Sequence, residues 1–206
     1  MTKLTYEKPT INKIDFVMAS KYGSPIYTQK IRTEIDGISV NELTQKFGSP
    51  IFIFSEKKME ELYNNLYSAF SSRYPDVQFG WSYKTNYLNE ICKVFHRLGS
   101  CAEVVSEFEY QKARALGIEG KDIIFNGPYK PYADLKIAVK EGAKIHVDNL
   151  FELDDLEKIA TELDIVIPLA IRINMDIGVY PQWSRFGFNY ENGDAYEAIE
   201  RMYASK

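Results

Sequence analysis

Apolar residues follow two alternating patterns along the chain from residue 50 onward. Short runs of apolar or alternating residues predict strands, and the segments between them, with apolar residues at three- and four-residue spacing, predict helices. The predicted strands begin near residues 51, 78, 101, 123, 144 and 167, so they are 21 to 27 residues apart. This spacing fits one strand plus one helix, and such alternation predicts a parallel sheet. Ser55 and Ser106, the latter with Glu109 three positions on, are predicted to cap two of these helices.

The first part of the chain is less regular. We predict short strands at 11–18 and 31–38, a turn at Asp36 and Gly37, and a short helix at 40–47. The pattern therefore divides the chain into an N-terminal segment, 1–49, and an α/β domain, 50–206.

The predicted strands carry different residues on their two faces, which bears on how the sheet closes. Ile145 and Val147, for example, alternate with His146 and Asp148. A doubly wound sheet is covered by helices on both faces, so its central strands are apolar on both. Polar residues on one face, near the ends of strands, are typical of an eight-stranded barrel. Six strand–helix units are visible. We therefore predict an incomplete (β/α)8 barrel of the TIM type.

One predicted strand, 77–86, has an unusual polar face. Its bulky face carries Val77, Phe79, Trp81 and Tyr83, and its other face carries Gln78, Gly80, Ser82 and Lys84. The small residues leave space beside the lysine. A lysine in a partly dry pocket can lose its proton near neutral pH and attack a carbonyl to form a Schiff base. The alternative is a lysine at a strand end that reaches to water.

Composition narrows the class of protein. The chain has 206 residues, a formal net charge of −4, two cysteines and no basic cluster. These features argue against nucleic acid or an anionic membrane as a partner. Residues 1–20 carry several charges and do not resemble a signal peptide, and no run has the length of a transmembrane helix. We expect reduced cysteines and a cytoplasmic location.

Several segments together resemble a known family. Residues 82–86, Ser-Tyr-Lys-Thr-Asn, resemble the Y-A-V-K-A-N lysine motif of the fold-type III pyridoxal-phosphate-dependent amino acid decarboxylases, which include the diaminopimelate, ornithine and arginine decarboxylases. Other segments resemble this family in the same order: 38–55, 98–109, 144–153, 172–174 and 184–188. The diaminopimelate decarboxylases are the nearest branch.

The resemblance implies a function and three site residues. The cofactor would be pyridoxal 5'-phosphate, and Lys84 would form the internal aldimine with it. Glu103 stands where the family has an aspartate near that lysine, and would fix or tune it. Arg172 would lie near the phenolic oxygen of the ring or a neighbouring acidic group, although an ion pair with Glu103 or Asp148 is nearly as plausible. The reaction would be decarboxylation of a basic or diamino amino acid, with binding and orientation supplied by the protein.

The resemblance covers only the first half of such an enzyme. Three features of the family lie beyond the sixth strand: the ring-stacking histidine, the glycine-rich phosphate loop and the C-terminal β-domain. In the family, the N-terminal segment joins that β-domain. We therefore expect this chain to be the N-terminal part of an enzyme that is a homodimer at full length, with little or no activity alone.

Two other functions stay open from the sequence, and several polar residues are assigned structural roles. A racemase of the same fold type is disfavoured by the residues that follow Lys84, and a non-catalytic relative or inactive fragment is the third possibility. We predict that His146 is a hydrogen-bonded core residue and that His96 is exposed. We assign Lys130, with its neighbours Asn126 and Gly127, to turn chemistry.

Overall fold

A computed structural model describes residues 32–178 and 185–205 of the chain. The chain divides between Ile53 and Phe54 into two compact units. No helix within the described ranges combines the length and the apolar character needed to cross a bilayer.

The first unit contains a small hairpin and one helix. Strand β1 (Glu34–Ile35) pairs antiparallel with β2 (Ile38–Ser39), and α1 (Val40–Phe47) follows. Asp36 and Gly37, the turn residues, have φ angles of 50° and 80°. Positive φ at both positions is what an Asp-Gly hairpin turn requires. The predicted turn and helix are confirmed, the predicted strand 31–38 is a hairpin, and the predicted strand 11–18 lies outside the described residues.

The second unit alternates helices with strands. In order these are α2 (Glu56–Ser71), β3 (Gly80–Ser82), α3 (Asn89–Arg97), β4 (Cys101–Val104), α4 (Glu107–Ala115), β5 (Ile123–Phe125), α5 (Tyr132–Lys140), β6 (Lys144–Val147), α6 (Leu150–Leu163) and β7 (Leu169–Ile171). Two short strands, β8 (Ile173–Asn174) and β9 (Phe188–Asn189), pair in parallel, and α7 (Asp194–Ala204) follows them.

The order of the strands in the main sheet identifies its class. Five parallel strands lie in the order β3-β4-β5-β6-β7, so each strand is hydrogen-bonded to the next one in the chain. In a doubly wound sheet the order reverses at a switch point. A barrel is wound in one direction throughout. The sequential order therefore confirms the predicted barrel-type α/β fold, present as a partial barrel.

Among the described residues, helices cover only one face of this sheet. The residues that point toward the helices form the buried core: Ala102, Val104, Ile123, Phe125, Ile145 and Val147. Residues on the opposite face are partly or fully exposed: Gly80, Glu103, Ile124, His146 and Ala170. In a barrel this second face lines the lumen.

The predicted strand at 51–54 does not form. Within the described residues these positions join no sheet, and the side chain of Phe52 is 94% exposed. A strand exists only where its backbone N–H and C=O groups pair with a neighbour. The prediction of a strand at 51–54 was therefore wrong.

A series of hydrogen bonds begins at Tyr83, just after β3, and fixes the tautomer of His96. The Tyr83 side chain is fully buried, and its hydroxyl lies 2.8 Å from Nε2 of His96. Nδ1 of His96 lies 2.8 Å from the carbonyl oxygen of Ser100. Because a carbonyl only accepts, Nδ1 carries the proton and Nε2 accepts from Tyr83. The prediction that His96 is exposed was wrong, because this residue lies on the side of α3 that faces the sheet.

This arrangement predicts a loss of stability on mild acidification. Burial lowers the pKa of His96 below its ordinary value of 6.5, because the charged imidazolium is poorly solvated. The unfolded chain therefore binds a proton more readily than the folded one, so the stabilisation is complete above pH 6.5 and is lost as the pH falls toward the folded-state pKa. We expect the free energy of unfolding to fall between about pH 7.5 and about pH 5, and to fall less in His96→Gln than in the wild type. Urea titrations at each pH measure it. Equal losses in the two proteins would contradict this assignment.

Candidate active site

Polar side chains gather where the parallel strands end. Ser82 and Glu103 lie on β3 and β4, while Asn126, Asp148 and Arg172 follow β5, β6 and β7 at or just beyond their last residues. Because parallel strands all end at the same edge of a sheet, these residues share one rim. In barrel enzymes this rim, at the C-terminal ends of the strands, carries the active site.

Lys84 lies in a turn just after β3 and is exposed. The backbone N–H of Tyr83 donates to the carbonyl of Glu103 at 3.0 Å, and that of Thr85 donates back to the carbonyl of Ser82 at 3.1 Å. The chain therefore leaves the sheet at this point, and the predicted strand 77–86 is observed only at Gly80–Ser82. The lysine is carried at the rim, not on the strand face as the alternation predicted.

Glu103 lies on the strand next to the one that carries Lys84. It is paired in register with Ser82, and its Oε1 accepts a hydrogen bond of 3.0 Å from Nδ2 of Asn126. Asn126 was predicted to serve only turn chemistry, so its contact with a candidate site residue was missed. The amide holds the carboxylate toward the open face.

Glu109 is a second carboxylate near the lysine, and the sequence indicated only its capping role. Its backbone N–H donates to Oγ of Ser106 at 3.3 Å, which is the predicted cap, and its Oε2 accepts from the N–H of Val105 at 2.8 Å. Burial raises the pKa of Glu109; the negative charge of Glu103 acts in the same direction, and the positive charge of Lys84 opposes both. Glu109 is therefore within electrostatic reach of two of the predicted site residues.

Arg172 follows β7, at the opposite edge of the sheet from Lys84. Four inter-strand steps separate the two strands, about 19 Å measured along a sheet. Nη1 of Arg172 lies 3.3 Å from Oδ1 of Asp148, and its guanidinium lies over the ring of Phe186 at 4.7 Å. Of the two carboxylates proposed as its partners, Asp148 is the one that it contacts.

Asp148 also fixes the segment that follows. Its Oδ1 accepts a hydrogen bond of 3.1 Å from the backbone N–H of Gly187. Gly187 has a φ angle of 77°, and a Cβ atom there would lie 2.5 Å from the carbonyl oxygen of Arg172. Glycine is therefore required at 187 for both conformation and space. This contact brings residues 185–188 against the arginine.

Lys130 is buried, with 2% of its surface exposed, so its assignment to turn chemistry was wrong. Its ammonium donates to the carbonyl oxygens of Gly127 and, at 3.0 Å, of His146. It also forms an ion pair of 2.7 Å with Oε1 of Glu152. Burial lowers the pKa of Lys130 and raises that of Glu152, and the ion pair opposes both shifts. The partner is 22 residues away in the sequence, which is why local patterns did not reveal it.

His146 lies on the open face of β6 and is half-buried. Its imidazole makes no hydrogen bond to the residues that the structure describes, so the predicted hydrogen-bonded core role was wrong. Burial lowers the pKa of His146, and the charge of Lys130 acts in the same direction. Across 32–178 and 185–205 no group of three or more His, Cys, Asp or Glu side chains is placed to hold a metal ion.

The fold and the rim together define the class: a barrel-type α/β domain with an amine, carboxylates and a guanidinium at the C-terminal ends of its strands. Residues 60–204 match the family described as "Pyridoxal-dependent decarboxylase, pyridoxal binding domain". The chain therefore belongs to the pyridoxal-dependent decarboxylase family. This match confirms the resemblance seen in the sequence and the pyridoxal cofactor that it implied.

Individual relatives agree with this assignment. The chain is 31% identical over 181 residues to a diaminopimelate decarboxylase of Aquifex aeolicus, covering 84% of this chain and 41% of that protein. It is 33% identical to an L-glutamyl-[BtrI acyl-carrier protein] decarboxylase of Niallia circulans, covering 69% of this chain and 33% of that protein. The crystal structure of a Methanocaldococcus jannaschii diaminopimelate decarboxylase in complex with L-lysine superposes with a TM-score of 0.75 at 27% identity, covering 84% of this chain and 43% of that one. The chain thus spans less than half the length of these relatives.

The residues on the open face fit a pyridoxal cofactor. Oγ of Ser82 is buried and has no hydrogen-bond partner among the described residues, so a polar group can be accommodated beside it. Gly80 and Ala170 are small residues on this face, which also carries Glu103, Ile124 and His146. An amine at Lys84 and a guanidinium at Arg172 match the aldehyde and the anionic oxygens of such a cofactor.

Gly187→Ala tests the close approach at the rim. We expect this substitution to lower the free energy of unfolding by about 2–3 kcal/mol, because the added methyl group combines an unfavourable φ with a steric clash. Gly142→Ala is the matched control. Gly142 has a φ angle of 75°, but no atom lies within 4 Å of the position that a Cβ would take. Only the conformational cost of about 1 kcal/mol therefore remains there. Urea titration measures both, and equal destabilisation would contradict the clash.

Proposed function

We propose that this chain is the N-terminal, cofactor-binding part of a pyridoxal-phosphate-dependent amino acid decarboxylase, and that Lys84 is the amine that forms the Schiff base with the cofactor. The observation that carries this proposal is the position of Lys84 at the C-terminal rim of a pyridoxal-binding domain, beside Glu103 and Glu109. The face next to it is partly open, and the β3 residues on that face, Gly80 and Ser82, are small. A lysine in that position can reach a ring bound against the face.

The other rim residues have separate roles in this proposal. Glu103, held by Asn126, helps to fix the charge and position of the lysine amine. Arg172, held by Asp148, binds an anionic oxygen of the cofactor from the opposite edge of the sheet. The cofactor itself supplies the electron sink that stabilises the carbanion left by loss of carbon dioxide. The protein orients the bond that breaks and excludes water.

A diamino acid is the substrate class that the relatives favour. Diaminopimelate decarboxylases of two organisms are among the most similar proteins, and one of their crystal structures contains L-lysine. The similarity to a decarboxylase of a glutamyl group on a carrier protein shows that related domains serve different substrates. A racemase is not favoured, since these relatives are decarboxylases. A homodimer and a cytoplasmic location stay predictions from the resemblance.

The Lys84 assignment can be tested without catalysis. We expect the chain mixed with pyridoxal phosphate to develop the visible absorbance of a Schiff base, and borohydride reduction to leave a pyridoxyl group on the peptide that contains Lys84. Lys84→Ala should lose both signals, because no amine remains at that position. Peptide mass spectrometry locates the modified residue.

Lys144→Ala is the matched control for Lys84→Ala. Lys144 is also exposed and lies on the same sheet, but at the start of β6, so it is at the opposite end of the strands. We expect it to keep the absorbance and the adduct on Lys84. An adduct on another lysine, or normal absorbance in Lys84→Ala, would disprove the assignment.

The open face predicts that this chain alone does not turn over substrate. Decarboxylases bind their cofactor in a site from which water is excluded, whereas the described residues leave the lumen face of the sheet partly or fully exposed. We expect no measurable release of carbon dioxide from meso-diaminopimelate, L-lysine, L-ornithine or L-arginine by the isolated chain loaded with pyridoxal phosphate. Turnover at the rate of an ordinary enzyme, about 10 per second, would disprove the need for further protein.

A further inference from the structure

The buried ammonium of Lys130 joins three separate segments. Lys130 lies between β5 and α5, and it donates to the carbonyl oxygens of Gly127, in the loop after β5, and of His146, in β6. Its third contact is the ion pair with Glu152 in α6. Two of its three donors therefore have a carbonyl acceptor, and the carboxylate of Glu152 balances its charge. These contacts hold the side chain in one position. They also offset the free-energy cost of burying its charge.

Glu152 uses its other oxygen to hold the end of β6. Its Oε2 accepts a hydrogen bond of 2.9 Å from the backbone N–H of Asp148. Its own backbone N–H donates to Oδ1 of Asn149, the N-cap of α6, at 3.1 Å. The carboxylate therefore lies between Lys130 on one side and the backbone of Asp148 on the other.

Asp148 passes this constraint to the rim. Its carboxylate binds Arg172 and accepts the N–H of Gly187. A continuous set of contacts thus runs from Lys130 through Glu152 and Asp148 to Arg172. Every link is a hydrogen bond or an ion pair between named atoms.

Helix capping alone does not explain the lysine. Helix α4 begins in the same way: Ser106 caps it, and Glu109 reaches back to the N–H of Val105. Glu109 is also buried, yet it forms no ion pair with any residue in the described part of the chain. A glutamate at this position therefore caps its helix without a buried lysine. The role of Lys130 must differ from capping.

The geometry points to Lys130 as a positioning residue that, through Glu152 and Asp148, holds Arg172 and the 185–188 segment in place for the pyridoxal cofactor. This inference rests on the proposed function, because it concerns the same site. It assigns Lys130 no contact with the cofactor or the reacting atoms.

The first test needs no cofactor. We expect Lys130→Met to speed amide hydrogen exchange in peptides covering 144–149 and 185–190 by about tenfold, the effect of losing roughly one hydrogen bond, while exchange in α3 and β4 stays unchanged. Because this variant leaves Glu152 buried without its cation, it is paired with Lys130→Met/Glu152→Gln. The double variant contains no unpaired buried charge, and its glutamine oxygen can still accept from Asp148.

The second test measures the affinity for pyridoxal phosphate by absorbance titration at a temperature where every variant is folded. We expect the dissociation constant to rise about tenfold in either Lys130 variant, the usual size of effect for residues that orient a ligand's direct partners. Arg172→Met should also weaken binding, and adding the Lys130 change to it should have little further effect, because Lys130 acts through Arg172. Full additivity would overturn the inference.

Lys136→Met is the matched control. Lys136 lies in α5 and pairs with Glu162 in α6, so it also ties this region of the chain to α6, but on the outer surface. We expect wild-type exchange at 185–190 and wild-type affinity. If Lys136→Met has the same effects as Lys130→Met, or if exchange rises uniformly across the chain, Lys130 is only a stabilising residue and the inference fails.

The two proposals fail in different ways. If the wild-type chain forms no Schiff base on Lys84, the proposed function is wrong, and the inference about the cofactor fails with it. If the wild type binds pyridoxal phosphate but the Lys130 variants bind it equally well, only the positioning role is wrong.

Discussion

The organisation of this domain depends on the burial of one face of its sheet by the described helices. Five parallel strands lie in chain order, and the helices that connect them all pack on the same side. Large apolar residues such as Phe125 and Ile145 are therefore fully buried on that side. The other face carries mostly small and polar residues, with Ile124 as an exception, and no described helix packs on it. This asymmetry brings the polar residues at the strand ends to a single rim.

The same helix-capping arrangement occurs twice at the rim. After β4 and after β6, a cap residue is followed three positions later by a glutamate, Glu109 or Glu152, whose carboxylate accepts the N–H of the residue before the cap. Each glutamate thereby holds the end of its strand as well as the start of its helix. Both carboxylates are buried, and burial raises the pKa of each. Among the described residues, only Glu152 has a buried lysine beside it. Glu109 therefore acts as a cap alone, whereas Glu152 also belongs to a longer network of contacts.

Sequence patterns predicted the features that depend on neighbouring residues. The Asp36-Gly37 turn and the Ser55 cap formed as expected, because their geometry is set within a few positions. The apolar and polar faces of β6 also followed from local alternation. In contrast, 51–54 has the sequence pattern of a strand but pairs with no strand in the described part of the chain. The pairing of Arg172 with Asp148 was open in the sequence because it depends on strand order: β6, which leads into Asp148, lies beside β7, and β4 does not.

Binding the cofactor and excluding water are separable tasks, and in our proposal the groups for the first task belong to this chain. Lys84, Glu103 and Arg172 lie along one rim, and the contacts that orient Glu103 and Arg172 come from within the same domain. Among the described residues, however, the lumen face between them is partly open to water, and Gly80 and Ala170 on it are exposed. Electrostatic interactions with a developing charge are strong only where water is excluded. A domain of this kind can therefore anchor a pyridoxal group, but among its described residues the lumen face is not closed off from water.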